Sequence, residues 1–554
     1  MPNRIDPLSL RELLRTTAPP VLLDLREEGV FEKEHLLFAT HLALSQLELS
    51  IRRLVPRFST PVVLCDGGGK GKGEGSGEDG GENTEGNTEG LAERGAERLL
   101  RFGYGDVSIL VGGVAGWKAA GLAVFSGFNV PSKAFGEFVE HAYGTPSLAP
   151  EELQTLIDSG RKMVIVDSRP MEEYTRMNIP GGINVPGGEL VYRAHDIAPH
   201  PGTLVVVNCA GRTRSIIGAQ SLINAGIPNQ VTALRNGTMG WHLAGLQLER
   251  GGTKGPPEPS SAGSELGRQA ASRVAARFGV RAVDAQTLKR WEGEAHRRTL
   301  YLMDVRIPEE YQEGHLPNAR SAPGGQLVQG TDTYMADRGA RVVLVDTDGV
   351  RANMTASWLI QMGWRDIHVL EAWPEGAEQL TGAFSEEIPG LENIDAEHIT
   401  AAGLAERIRS AAESPLVVDL APSPVYRRGH IPGAWFAIRA QLEAARQRLP
   451  AGDSLVLTSP DGVLAKLAAG DAAESGFKNI RVLAGGTAAW TAEGLPMETG
   501  EDRMASAPDD VFAKPYDHPD RVEQHMRNYL DWEVTLVEQI EKSGEISYRI
   551  FPET

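Results

Sequence analysis

One short stretch of the chain brings a nucleophile together with groups that would activate it: Cys209-Ala210-Gly211-Arg212-Thr213-Arg214-Ser215. The thiolate is the reacting form of cysteine, and it needs positive potential and hydrogen-bond donors around the sulfur. The apolar run Val205-Val206-Val207 before the loop reads as a buried strand. After it, Ile216, Ile217, Leu222 and Ile223 follow helical spacing up to Gly226. The loop therefore turns from the carboxyl end of a strand into a helix N-terminus, where open α/β sheets bind ligands. Backbone N–H groups and the helix dipole favour negative charge there. Residues 197–248 contain no Asp or Glu, although the chain has 74 of them among 554 residues. The same stretch carries Arg212, Arg214 and Arg235. A local positive field in a chain of net charge −19 points to an anionic substrate.

The elements that would position this cysteine recur along the chain. Four apolar runs end in Asp: Val21-Leu22-Leu23-Asp24, Val164-Ile165-Val166-Asp167, Tyr301-Leu302-Met303-Asp304 and Val417-Val418-Asp419. The first three continue to Arg26, Arg169 and Arg306, whereas the fourth reads Asp419-Leu420-Ala421. A second run follows each: Val62-Val63-Leu64-Cys65, Val205-Val206-Val207-Asn208, Val343-Leu344-Val345 and Leu455-Val456-Leu457-Thr458. From the Asp to the residue just past the second run is 42 residues in three repeats and 40 in the fourth. A third run leads to a Gly-rich turn and Trp117, Trp241 or Trp490, and the third repeat breaks this pattern at Glu371-Ala372-Trp373-Pro374. Short continuous apolar runs suit strands buried on both faces, hence parallel sheets with helices outside.

The pattern predicts four α/β domains, at residues 1–127, 147–250, 281–385 and 392–497, and a helical tail over 498–554. In the tail, Tyr529, Trp532, Leu536, Val537 and Ile540 stand at helical spacing and predict a helix packed on its own domain. Residues 67–90 hold 11 Gly among 24 residues and are expected to be a disordered insertion in the first domain. Residues 251–263 read as a flexible or extended linker. A helix is expected near 265–278, and 131–143 reads as a more ordered connection.

Composition excludes several classes of function. The chain has 55 basic and 74 acidic residues, a field that repels nucleic acid and anionic membranes. No apolar run approaches the roughly 20 residues that span a bilayer. The start, Met1-Pro2-Asn3-Arg4-Ile5-Asp6, lacks a signal-peptide layout. Two cysteines, Cys65 and Cys209, make no disulfide framework and suit a reducing cytoplasm. The histidines show no metal-ligand spacing.

The fourfold pattern resembles the rhodanese family of sulfurtransferases, as four tandem rhodanese-like domains. The residues that carry the resemblance are the Asp-x-Arg segments, Gly314-His315-Leu316-Pro317-Asn318-Ala319, Gly429-His430-Ile431-Pro432-Gly433-Ala434, the Cys-x4-Arg loop and the Gly-Gly-x3-Trp turn. The second repeat departs with Met177-Asn178-Ile179-Pro180. The resemblance implies a cysteine that takes a sulfane sulfur as a persulfide and passes it on, without a cofactor. That role falls on Cys209, with Ala210, Gly211, Arg212, Thr213 and Arg214 cradling the anion. The implied donor is thiosulfate or a related small anion; the acceptor is a thiol, cyanide or a protein.

The other repeats place Asp66, Asp346 and Ser459 at the nucleophile position. Cys65 stands one residue earlier and is expected to point into packing. Asp167 and Arg169 are expected to fix loops rather than react. Arg193 is a candidate to reach the pocket. A phosphatase is a second reading, since some dual-specificity phosphatases share such a fold. Their loop is Cys-x5-Arg, whereas the sixth residue after Cys209 is Ser215, which favours sulfur. A third reading is a non-catalytic scaffold or sulfur-relay carrier, because three domains lack the nucleophile.

Overall fold

A computed structural model describes residues 2–68, 90–374, 376–410, 414–452 and 454–551. The expectation for the Gly-rich insertion falls mostly on residues 69–89, which lie outside the described residues.

The four sets of apolar runs build four five-stranded parallel sheets that share one strand order. In the second sheet, Ser147–Leu148, Val231–Leu234, Leu204–Asn208, Met163–Asp167 and Ile183–Asn184 lie side by side in that order. The strand that precedes the candidate loop is thus the central one. Its side chains alternate between two cores. Leu204 and Val206 pack with Leu153 and Trp241 on one face. Val205 and Val207 pack with Leu190, Ala219 and Leu222 on the other. Burial on both faces explains why the run is continuously apolar.

The third domain departs where its sequence does. Helices Gly113–Ala119, Gly237–Leu243 and Gly486–Ala492 follow the fifth strand of the other sheets. After Ile367–Leu370 the chain continues through Trp373-Pro374 with no such helix among the described residues.

The second domain meets the third, and the first meets both the third, where the Tyr301 hydroxyl donates to the Leu54 carbonyl, and the fourth. The second faces the third through Gly187-Gly188 against Gly324-Gly325. A Cβ on Gly325 would stand 3.0 Å from the Gly187 Cα and the Gly188 nitrogen, so the backbones meet here only without side chains. Helix Ser261–Phe278, capped by Ser260, packs against helices Leu190–Ile197 and Arg351–Gln361 of these two domains. The first and fourth domains meet through buried Glu48, which pairs with Arg98 and Arg439.

The tail corrects an expectation. Helix Val522–Ser543 does not pack on the fourth domain that precedes it. Its Leu536 and Ile540 pack with Leu37 and Phe125 of the first domain and with Val130 and Ala134 of helix Val130–Tyr143. Its Met526 and Leu530 pack with Met239 of the second domain.

Candidate active site

The strand Leu204–Asn208 delivers Cys209 at its carboxyl end, and helix Thr213–Ala225 begins four residues later. Cys209 is 2% exposed. Its thiol donates to Ser215 Oγ at 3.5 Å, and that hydroxyl donates to the Arg212 carbonyl at 2.8 Å. The Gly-turn-Trp segment clamps the loop. The N–H groups of Thr238 and Met239 donate to the carbonyls of Cys209 and Ala210 at 2.8 and 3.0 Å. Gly237 has φ +55°, and a Cβ there would stand 2.3 Å from the Cys209 oxygen, so glycine is required.

The inactive-looking repeats reveal what the nucleophile position offers. Asp66 accepts N–H bonds from Gly68 and Ala92 at 3.0 and 3.1 Å. Asp346 accepts them from Gly349 and Ala352 at 2.9 and 2.8 Å. Ser459 Oγ accepts one from Ala465 at 3.2 Å. In these three domains the side chain just past the central strand meets an N–H group at the start of the next helix. A carboxylate fills that cradle in the first and third domains and keeps other anions out. In the second domain only a thiol sits there.

The two loop arginines lie beside the cysteine but are not free cations. Arg212 pairs with Glu137 through Nε and Nη2, both at 2.6 Å, and also with Glu140. Arg214 holds Glu173 at 2.9 and 3.1 Å and reaches Gln326 of the third domain at 3.3 Å. Burial opposes the Arg214 charge, but Glu173 and then the Cys209 sulfur raise its pKa. Burial likewise opposes ionisation of Glu173, yet Arg214 holds that carboxyl down at about 2. The positive field expected from the acid-free stretch is therefore offset by carboxylates from other parts of the chain. None of them lies within residues 197–248, so no local window of sequence shows them.

The tail helix roofs the loop. A Cβ on Gly211 would stand 3.0 Å from Glu533 Oε2 and from the Met239 methyl, and 3.5 Å from the Tyr529 ring. Glu533 Oε1 accepts from Lys133 Nζ at 2.8 Å and from Thr213 Oγ1 at 3.3 Å. Glu533 Oε2 is buried with no hydrogen-bond partner. Lys133 and Glu533 are 400 residues apart, and neither carries a sequence signal beyond helical amphipathicity.

The remaining candidates are placed as follows. Arg169 holds both Asp167 oxygens at 2.7–3.1 Å and donates to the Met177 carbonyl at 2.6 Å, so this pair ties strand to loop. Asn208 Nδ2 joins it through Asp167 Oδ2 at 2.8 Å, one residue before the cysteine. The fourth domain lacks the arginine; Asp419 keeps one oxygen unpartnered, and burial pushes its pKa up to about 7. Arg193 is not gathered with the loop. It donates to Glu189 at 3.1 Å and to the Pro257 carbonyl of the linker at 3.0 Å, which corrects its expected place in the pocket. Cys65 lies in the core with Leu22, Phe31 and Val63, and burial raises its pKa well above the ordinary thiol value.

Comparison with known proteins follows the same repeats. A family model for the rhodanese-like domain matches residues 149–244, 284–372 and 400–493. A crystal structure of thiosulfate sulfurtransferase from Pseudomonas aeruginosa superposes with TM-score 0.92 at 46% identity, covering 99% of this chain and 100% of that one. The HTH-type transcriptional regulator Rv0324 of Mycobacterium tuberculosis is 32% identical over 94 residues, 17% of this chain and 41% of that protein. The Bacillus subtilis protein YrkF is 28% identical over 102 residues, 18% of this chain and 54% of that protein. The chain spans about half the length of these two curated relatives or less. No helix among the described residues is long and apolar enough to cross a membrane.

Proposed function

The chain belongs to the rhodanese-like family and is a sulfurtransferase, and we propose that it moves the outer sulfur of thiosulfate, or of a related small anion, to a thiol or cyanide through a persulfide on Cys209. The observation that carries this reading is the nucleophile position itself. In three domains the side chain at this position accepts N–H bonds from the loop or the next helix, and the equivalent position of the second domain carries a thiol beside Ser215.

The chemistry balances without a cofactor. The Cys209 thiolate attacks the outer sulfur of thiosulfate, a new S–S bond forms, and sulfite leaves with the electron pair of the broken one. Cyanide or a thiolate then attacks the outer persulfide sulfur and releases the Cys209 thiolate. Two covalent half-reactions of this kind give ping-pong kinetics. Backbone N–H groups from Ala210 to Arg214 cradle the anion, Arg214 contributes a cation, and Arg212 holds the loop to Glu137. The first domain and helix Val130–Tyr143 hold the roof helix in place over the second domain. Two unpaired cysteines support a reducing cytoplasm as the place of action.

The direct test is mass spectrometry of the whole protein after thiosulfate, with and without cyanide. One added sulfur on the Cys209 peptide, removed by cyanide, is the expected result. An unmodified Cys209 peptide in a turning-over sample rejects the assignment. The Cys-x4-Arg spacing disfavours phosphate, so the same protein is expected to leave aryl phosphates intact.

A further inference from the structure

A cavity of about 500 Å³ lies where the first and third domains meet the end of the chain. No residue of the Cys209 loop lines it. Four arginines do: Arg15, Arg338, Arg365 and Arg549. Arg15 is neutralised, since it pairs with Glu545 at 3.1 Å, and Glu545 also takes Arg11 at 2.9 Å. The other three guanidinium groups have no carboxylate partner and no hydrogen bond among the described residues. Arg338 lies flat over Phe38, its guanidinium carbon 3.6 Å from the ring centroid.

This arrangement is unusual for this chain. It has 19 more acidic than basic residues, yet these three solvent-exposed arginines converge on one cavity without a carboxylate paired to them. The packing of Arg338 and the nearby Arg365 lower its pKa to about 10 against Tyr548 and Glu545, so the group stays charged at neutral pH. The one other acid on the cavity, Asp332, is itself buried and pushed up to about 6. Phe38, Met335 and Trp364 give the wall an apolar part. A volume of this size suits a small organic molecule, and planar guanidinium forks suit carboxylate or phosphate oxygens.

We propose that this cavity binds a small organic polyanion, its carboxylate or phosphate groups on Arg338, Arg365 and Arg549 and its carbon body against Phe38 and Trp364. The ligand would tie the two domains to the chain end. That end is already pinned, since Tyr548 donates to the Pro131 carbonyl at 2.6 Å and the Arg549 N–H to the Gln361 carbonyl at 2.9 Å.

The test titrates the full chain calorimetrically with citrate and with fructose 1,6-bisphosphate, each against sodium chloride at matched ionic strength. Saturable binding of at least one probe is expected, with a melting temperature that rises with its concentration. Citrate alone would identify carboxylates as the recognised groups, and the bisphosphate alone would identify phosphates. Arg338→Gln and Arg365→Gln are each expected to weaken binding about tenfold or more, while persulfide formation on Cys209 is unchanged. Arg365 is solvent-exposed, so its variant folds even if the Arg338 variant does not. The proposal is overturned if neither probe binds beyond the salt control, or if Arg365→Gln binds as the unaltered protein does.

Discussion

At the scale of single residues, the proposed chemistry turns on one side chain, Cys209, whose equivalents in the other domains are Asp66, Asp346 and Ser459. Replacing Cys209 with Ser should abolish thiosulfate:cyanide sulfur transfer, whereas Cys65→Ser should leave it nearly intact, because Cys65 is packed in a core. Retained turnover in the Cys209 variant would contradict the persulfide route. The ion pair of Arg214 with Glu173 and its proposed role beside the sulfur can be separated. Arg214→Ala leaves the half-buried Glu173 with only Lys514 at 3.8 Å, a loss on the order of 1–3 kcal/mol for a charge-assisted bond. It also removes a cation that interacts with the sulfur, expected to lower kcat/KM about 10- to 100-fold. Adding Glu173→Gln should recover most of the melting temperature and none of the kcat/KM. If the double variant regains both, Arg214 only supports the fold. The pair also sets an acid limit. Glu173 is held at about 2, below its ordinary value near 4.5. Its contribution is therefore complete above about pH 4.5 and fades as pH falls toward 2. Unfolding of the unaltered protein below about pH 4.5 should be steeper than that of the double variant.

At the scale of elements, the roof over Gly211 makes access to the sulfur a property of helix Val522–Ser543. Cys209 is buried, and Tyr529 and Glu533 stand over its loop at Gly211, so a donor entering from this side must displace them. In a Cys65→Ser background, Tyr529→Ala should speed alkylation of Cys209 by iodoacetamide several-fold. An unchanged rate would place the entry path elsewhere. The strand–loop–helix around the cysteine was legible in sequence because its causes are local: an apolar run, a glycine turn and a helical period. So were the four sheets, through the 42-residue spacing. The roof was not legible. Helical spacing at Trp532, Leu536 and Ile540 shows that a face is buried but not against what, and here it is buried against helix Val130–Tyr143 rather than the nearest domain. The charge balance failed for the same reason. An acid-free stretch reads as a positive field only until Glu137, Glu140 and Glu173 fold onto it.

At the scale of the whole molecule, residues 498–551 lace the four domains together, and one buried acid makes that lacing pH-sensitive. The Gly29 N–H donates to the Asp509 carbonyl at 2.8 Å, and the Phe512 N–H to Glu28 Oε2 at 2.8 Å. Asp510 in turn accepts from the Ser423 N–H of the fourth domain at 2.7 Å. Beneath this crossing lies Glu27. Burial, with Asp510 and Asp509 adding to it against the opposing Ser45 hydrogen bond, pushes its carboxyl up to about 8. An acid raised in the fold is held protonated there, while the unfolded chain releases the proton near pH 4.5. The fold therefore has the full contribution of Glu27 below about pH 4.5 and loses it progressively up to about pH 8. Over that window the loss is on the order of a few kcal/mol. Glu27→Gln keeps the shape and an acceptor for Ser45 but carries no proton to lose. The variant should match the unaltered protein near pH 5 and melt at increasingly higher temperature from there to pH 8, where the difference levels off. A constant difference across that range would mean that Glu27 does not titrate with folding, and that the tail crossing is insensitive to its charge.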